Sequence, residues 1–229
     1  METVTALNIG RAIEEPRVQR PATGQFASYG AVLYILAAVQ FVVCMAVTAS
    51  RYGPPAYNPM TDTISDLQAV NCGTFLGAYV CSPLHDLANI SVAALGFLII
   101  AGSLVLRPRL PSGRRRDVAI GLLVVAGLAS FANAFTPEDV TLTGDTLTAI
   151  IAFLGANFGL IQIGRAVSTP QWRGYSLFSQ ALGTIGIAAL ILDGFGFGTV
   201  VGMGAIEWLI VAPILIWAPA TGVRSILGK

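Results

Sequence analysis

Charged residues are scarce in this chain: only 11% of its 229 residues are Asp, Glu, Lys or Arg, where a soluble domain carries about 25%. Without them the helices have too few polar faces to meet water, which argues against a soluble all-helical protein. The apolar runs do not alternate with polar residues, which argues against an outer-membrane barrel. There is one histidine, His85. His/His/carboxylate metal sets, H-E-x-x-H and haem held by two histidines of one chain are therefore excluded. No G-x-S-x-G elbow, phosphate-binding loop, dinucleotide fingerprint or Cys-x-x-Cys pair is present. The expectation is a chain with no metal and no cofactor.

What is abundant is hydrocarbon. Hydrophobic residues make up 55% of the chain, and 25 residues are glycine. Apolar runs of about 20 residues recur, each long enough to cross a 30 Å hydrocarbon layer. The spans predicted are 29–50, 86–106, 117–135, 145–166, 174–193 and 199–220. The fold class expected is all-α, a six-helix integral membrane bundle. Residues 1–28 read as a polar cytoplasmic arm, 29–220 as the transmembrane domain with an outer loop at 51–85, and 221–229 as a cytoplasmic tail. Short links predict that the last three spans are sequential antiparallel neighbours. Gly155 and Gly159 form a G-x-x-x-G pair, which predicts a close helix contact.

The loops alternate in charge. Of the 13 basic residues, all but Arg51 fall on one side of this topology, five of them in the 107–116 segment RPRLPSGRRR. The positive-inside rule places that side, with both termini, in the cytoplasm. The localisation expected is the plasma membrane, specifically a prokaryotic inner membrane. The arginines suit anionic lipid headgroups, so lipid is an expected partner and nucleic acid is not. Nothing in the sequence sets the oligomeric state.

The 51–85 loop contains Pro54, Pro55 and Pro59, which block a continuous helix. Its ISDLQAV stretch suits a short interfacial helix. Cys72 and Cys81, nine residues apart on the expected oxidising side, predict a disulfide that closes a small ring, with two unpaired thiols as the alternative. Cys44 reads as a small apolar residue of the first span.

The polar residues that interrupt the apolar runs carry the functional expectations. Glu207 sits between GMGAI and WLIVA. A carboxylate inside a bilayer costs several kcal/mol unless it is protonated, paired or in a polar cavity. It is either a structural polar lock or part of a working site. Counted from the start of the sixth predicted span it lies eight residues in, about 12 Å deep. His85, Asp86 and Asn89 cluster at the start of the second span, with Asp86 and Asn89 on one helical face. Asn133, Asp145 and Asp193 sit near the same end of their spans, and Asn157 lies within the fourth. A cavity in the outer leaflet is the sharper expectation, with Glu207, Asp86 and His85 as acid–base candidates. Asn89, Asn133, Asn157 and Asp193 are its candidate ligand-binding residues. The plainer alternative has Asp86 and Asp145 capping helices, His85 in a loop, and the amides bridging helices.

The segments YNPMTDTISDLQAV and SPLHDLANISVAALG, with ANFGLIQIGRAV and GAIEWLIVAPILIWAPATGVR, resemble the bacterial and archaeal membrane-protein family called domain of unknown function 998. The resemblance covers roughly 30–225. The family's Tyr-x-Pro and Ile-Ser-Asp/Glu-Leu elements fall on Tyr57, Pro59, Ile64, Ser65, Asp66 and Leu67. Its early helical Asn falls on Asn89, and its glutamate and proline of the last helix on Glu207 and Pro213. Cys72 and Cys81 lie outside that pattern. The resemblance implies six membrane helices and no particular chemistry. Three functions stay open: binding or transport of a small apolar or amphipathic ligand in an outer-leaflet cavity, an intramembrane enzyme using carboxylate acid–base chemistry on a lipid or isoprenoid, and a structural or assembly subunit.

Overall fold

The computed structural model describes residues 23–227, and side chains from residue 28. The expected N-terminal arm therefore falls largely outside the described residues. Six helices are long and apolar enough to cross a membrane. They are α1 (Thr23–Ala49), α3 (His85–Leu106), α4 (Arg114–Asn133), α5 (Leu142–Ala166), α6 (Arg173–Gly194) and α8 (Met203–Ile226). Two short helices, α2 (Ile64–Gln68) and α7 (Gly198–Val201), and a hairpin of β1 (Gly73–Phe75) and β2 (Ala78–Val80) complete the set. The hairpin pairs Thr74 with Tyr79 in antiparallel register.

Each boundary has a local cause. Helix α1 stops just before Arg51–Gly53 and the Pro54–Pro55 pair, where proline removes the donor a further turn needs. Helix α4 starts after Gly113, at φ 151°. Helix α8 starts after Gly202, at φ 106°, a conformation that glycine adopts freely and other residues do not. This last break corrects the predicted sixth span, which ran unbroken from 199.

The long helices close into a ring. Helix α1 packs on α3 and α8, α3 on α4, α4 on α5, α5 on α6, and α6 on α8. The last three spans are therefore sequential neighbours, as their short links predict. Small residues allow the close approaches. A Cβ at Gly96 would collide with the carbonyl of Gly127 in α4. One at Gly155 would lie 2.9 Å from the Leu122 carbonyl, so the G-x-x-x-G pair does bring α4 against α5.

The ring is apolar on both surfaces. Leu36, Val43, Ile90, Phe97, Leu128 and Leu209 are exposed on its outside. In water such a surface would aggregate, whereas in a bilayer it meets acyl chains. Inside are Tyr34, Met45, Leu123, Leu160, Ile210 and Trp217. Six long helices that each reverse direction bring the start of α1 and the end of α8 to one end of the bundle, with Arg107, Arg109, Arg165 and Arg224. That is the basic end. The opposite end is roofed by the 51–85 loop.

Candidate functional site

Helix α2 has five residues, too few to persist alone in water. Its sequence supplies a capping box: the Asp66 amide donates to Thr63 Oγ1 at 3.0 Å, and the Thr63 amide donates to Asp66 Oδ2 at 2.7 Å. Ile64, Ser65, Leu67 and Gln68 are buried, so the helix lies on the bundle as a roof, more deeply than the interfacial position expected.

Side chains from four spans fasten this roof. Glu207 Oε2 of α8 accepts the Ile64 amide at 2.6 Å. Ser65 Oγ donates to Asp145 Oδ2 of α5 at 3.3 Å. Gln68 Nε2 donates to Asn89 Oδ1 of α3 at 3.0 Å and to Asn133 Oδ1 of α4 at 3.3 Å. Asn89 Nδ2 returns a bond to the Gln68 carbonyl at 3.1 Å. Asn133 is the hub, since its Nδ2 also reaches Asp145 Oδ1 at 2.9 Å and Thr148 Oγ1 at 3.1 Å.

The flanking loop is fixed as well. Cys72 and Cys81 form a disulfide beside the hairpin. The Ala205 amide of α8 donates to the Met60 carbonyl at 3.1 Å. A side chain at Gly202 or Gly204 would collide with the backbone of Met60 or Asp62. Tyr57 donates to the Thr63 carbonyl at 3.2 Å and accepts from Trp208 Nε1 at 3.2 Å. The Val70 and Asn71 amides donate to Asp139 at 3.0 and 2.8 Å. Partial burial opposes ionisation of Asp139, but these donors outweigh it and hold the carboxyl below its ordinary range.

Beneath the roof is a cavity of about 80 Å³ for the centres of water-sized molecules. Its polar end carries Ser65, Gln68, Asn133 and Glu207, and its walls are Phe41, Leu95, Ile99, Phe153, Val211 and Ile214. Small side chains on α5 and α4, Ala149, Ala152 and Gly127 among them, make the space.

The predicted site residues separate into two groups. Glu207, Asn133 and Asn157 line the cavity, and Asn89 joins it through Gln68. His85, Asp86 and Asp193 do not line it. Asp86 is exposed, with its Oδ1 3.4 Å from His85 Nε2. His85 Nδ1 meets the Ser82 carbonyl at 3.0 Å. The capping expectations are corrected too. Leu84, not Asp86, occupies the N-cap of α3, without a side-chain bond. Thr141 caps α5, which leaves Asp145 buried in the network. Asn157 bridges α5 to α8, donating to the Ile210 carbonyl at 3.2 Å. Glu207 is four residues past Met203, about 6 Å along α8 and half the expected depth. Gln68 was not singled out from sequence. Its one local signal is its place a turn after Ile64 in a capped segment.

One carboxyl at this end is poorly served. Glu138, in the loop between α4 and α5, is buried, and its Oε1 has no hydrogen-bond partner. Burial, then a hydrogen bond with the Asp66 carboxyl, then the negative charges of Asp66, Asp145 and Glu207 push its pKa well above the usual glutamate range. No group of three or more His, Cys, Asp or Glu among the described residues is arranged to hold a metal ion.

Six apolar spans, a ring of helices and a roofed intramembrane cavity define a multi-pass membrane protein. Residues 35–224 match the profile of the family described as Protein of unknown function (DUF998), and the chain belongs to that family. Neither the curated proteins nor the solved structures contain a significant match.

Proposed function

We propose that this protein binds the apolar portion of a small amphipathic molecule in the cavity beneath α2, with the molecule's polar group against Ser65, Gln68, Asn133 and Glu207. The observation that carries this reading is a mostly apolar chamber with a few polar groups converging beneath its roof. Ligand sites are mostly apolar with a few convergent polar groups. The volume of about 80 Å³ suits a short chain or the end of a longer one, not a whole phospholipid. The roofed end then lies in the outer leaflet and the basic end, with both termini, in the cytoplasm of a prokaryotic cell.

Acid–base catalysis by the predicted trio is the weaker reading. Glu207 is the only carboxylate among the lining residues described, and His85 and Asp86 lie outside the cavity. A purely structural role leaves the cavity without a purpose.

The test is retention of dodecanoic acid by detergent-solubilised protein, read by native mass spectrometry. Wild type is expected to hold one molecule. Ala152→Phe fills the chamber and should weaken retention at least tenfold, whereas Ile90→Ala on the lipid-facing surface should not. Equal retention by Ala152→Phe and wild type, or none by wild type, contradicts the proposal.

A further inference from the structure

A second cavity, of about 150 Å³ for the centres of water-sized molecules, lies at the basic end. It is bounded by α1, α3, α4, α5, α6 and α8 and by the 107–110 and 170–172 turns. Its chemistry is the inverse of the roofed chamber. Arg109 and Arg224 line it, with the hydroxyls of Tyr34, Ser103, Tyr175 and Thr221, and its described lining includes no Asp or Glu.

Arg224 is the informative residue. Its guanidinium carbon lies 4.5 Å from the centre of the Trp172 ring and 5.1 Å from that of Tyr175. It forms no ion pair with a described carboxylate, while Arg107 and Arg116 both meet Asp117 at 2.9 Å. Its Nε is buried and has no hydrogen-bond partner. A guanidinium has five N–H donors in a planar fork, and burying one without an acceptor is costly. The two rings stabilise the charge through their faces but accept nothing in the plane of the fork. Two hydroxyl pairs, Tyr175 with Thr221 and Tyr34 with Ser103, each at 2.9 Å, stand on the same cavity. Hydroxyls bonded this way still have lone pairs or a donor to share.

We propose that this cavity is a binding site for a phosphate group, monoester or diester, held in a bidentate grip by Arg224 with Arg109 adding charge. The planar fork matches two phosphate oxygens, and the surrounding hydroxyls supply further donors. The arginines of the neighbouring turns raise the local concentration of anions. An anionic phospholipid headgroup and a soluble phosphate ester present the same chemistry, and the experiment separates them.

Tryptophan fluorescence is a direct probe, because Trp172 and Trp217 line the cavity. Full-length protein is titrated with inorganic phosphate in uncharged detergent, and separately with phosphatidylglycerol against phosphatidylcholine in mixed micelles. Saturable change in the first arm assigns the site to soluble phosphates. Saturation only with phosphatidylglycerol assigns it to a lipid headgroup. In whichever arm saturates, Arg224→Gln should weaken binding at least tenfold and Arg224→Lys less. Arg107→Gln, which removes a cation already paired with Asp117, should change it less than twofold. A thermal melt of Arg224→Lys verifies that the fold persists. Absence of saturation in both arms, or equal weakening by Arg107→Gln and Arg224→Gln, overturns the proposal.

Discussion

The two ends of the bundle handle polarity in opposite ways. At the roofed end the amides of Gln68, Asn89 and Asn133 and the carboxylates of Asp145 and Glu207 bond to one another or to backbone, across four spans and α2. At the basic end Arg224 rests on two aromatic rings and leaves a buried donor unused. A satisfied network fixes one geometry, because each member is costly to unpair at low dielectric. An unsatisfied cation beside a cavity is instead what an incoming anion would complete. The roof reads as structure placed over a site, and the basic end as a site in itself. Thr48 Oγ1 and Glu138 Oε1, both buried without a partner, are exceptions at the roofed end, and Glu138 makes that end sensitive to pH.

The largest effect that would sharpen this contrast comes from the hub. Asn133→Leu leaves Gln68, Asp145 and Thr148 short of a partner, and should cost about 3 kcal/mol by the usual penalty for stranding buried polar groups. Thermal unfolding in detergent measures it. A loss below about 1 kcal/mol would mean that the network is not holding the roof.

A smaller effect follows from Glu138. Its carboxyl titrates at about 4.5 in the unfolded chain and near 9 when folded. A raised acid stabilises the fold while protonated, so its contribution is complete below about pH 4.5 and is lost as pH rises toward about 9. Stability in detergent should therefore fall across that window, and Glu138→Gln should flatten the decline. An unchanged slope in Glu138→Gln would assign the pH dependence elsewhere.

The smallest effect concerns residues that sequence spacing placed in the site. Asp86→Asn should change stability by less than about 0.5 kcal/mol, as surface substitutions do, and His85→Ala, which removes a largely buried ring bonded to the Ser82 carbonyl, by about 1 kcal/mol. They should also leave retention of dodecanoic acid unaltered. A tenfold loss of retention in either would restore them to the site and break the distinction between cavity and surface.

The six spans were legible because an uninterrupted run of about 20 apolar residues has few other destinations. The disulfide and the close contact at Gly155 were legible for similar local reasons. The start of α8 was not, because the break at Gly202 is shaped by contact with the loop at Met60, far away in sequence. That His85 and Asp86 lie off the cavity was not legible, because spacing shows that residues share a helical face but not which way that face turns. Gln68 was passed over because a short segment carries no periodicity, and its partners Asn89 and Asn133 are 21 and 65 residues away.

The central claim is that Glu207 fastens α2 over the cavity from a helix 143 residues further along the chain. Hydrogen exchange of the 62–70 segment in lipid nanodiscs tests it most directly. With Glu207→Leu, the Ile64 amide loses its carboxyl acceptor, and exchange there should accelerate by about ten- to a hundredfold, as stranding a buried amide implies. Amides in the middle of α3 should not change. Equal protection of residues 62–70 in Glu207→Leu and wild type would contradict the clamp and leave the roof held by something else.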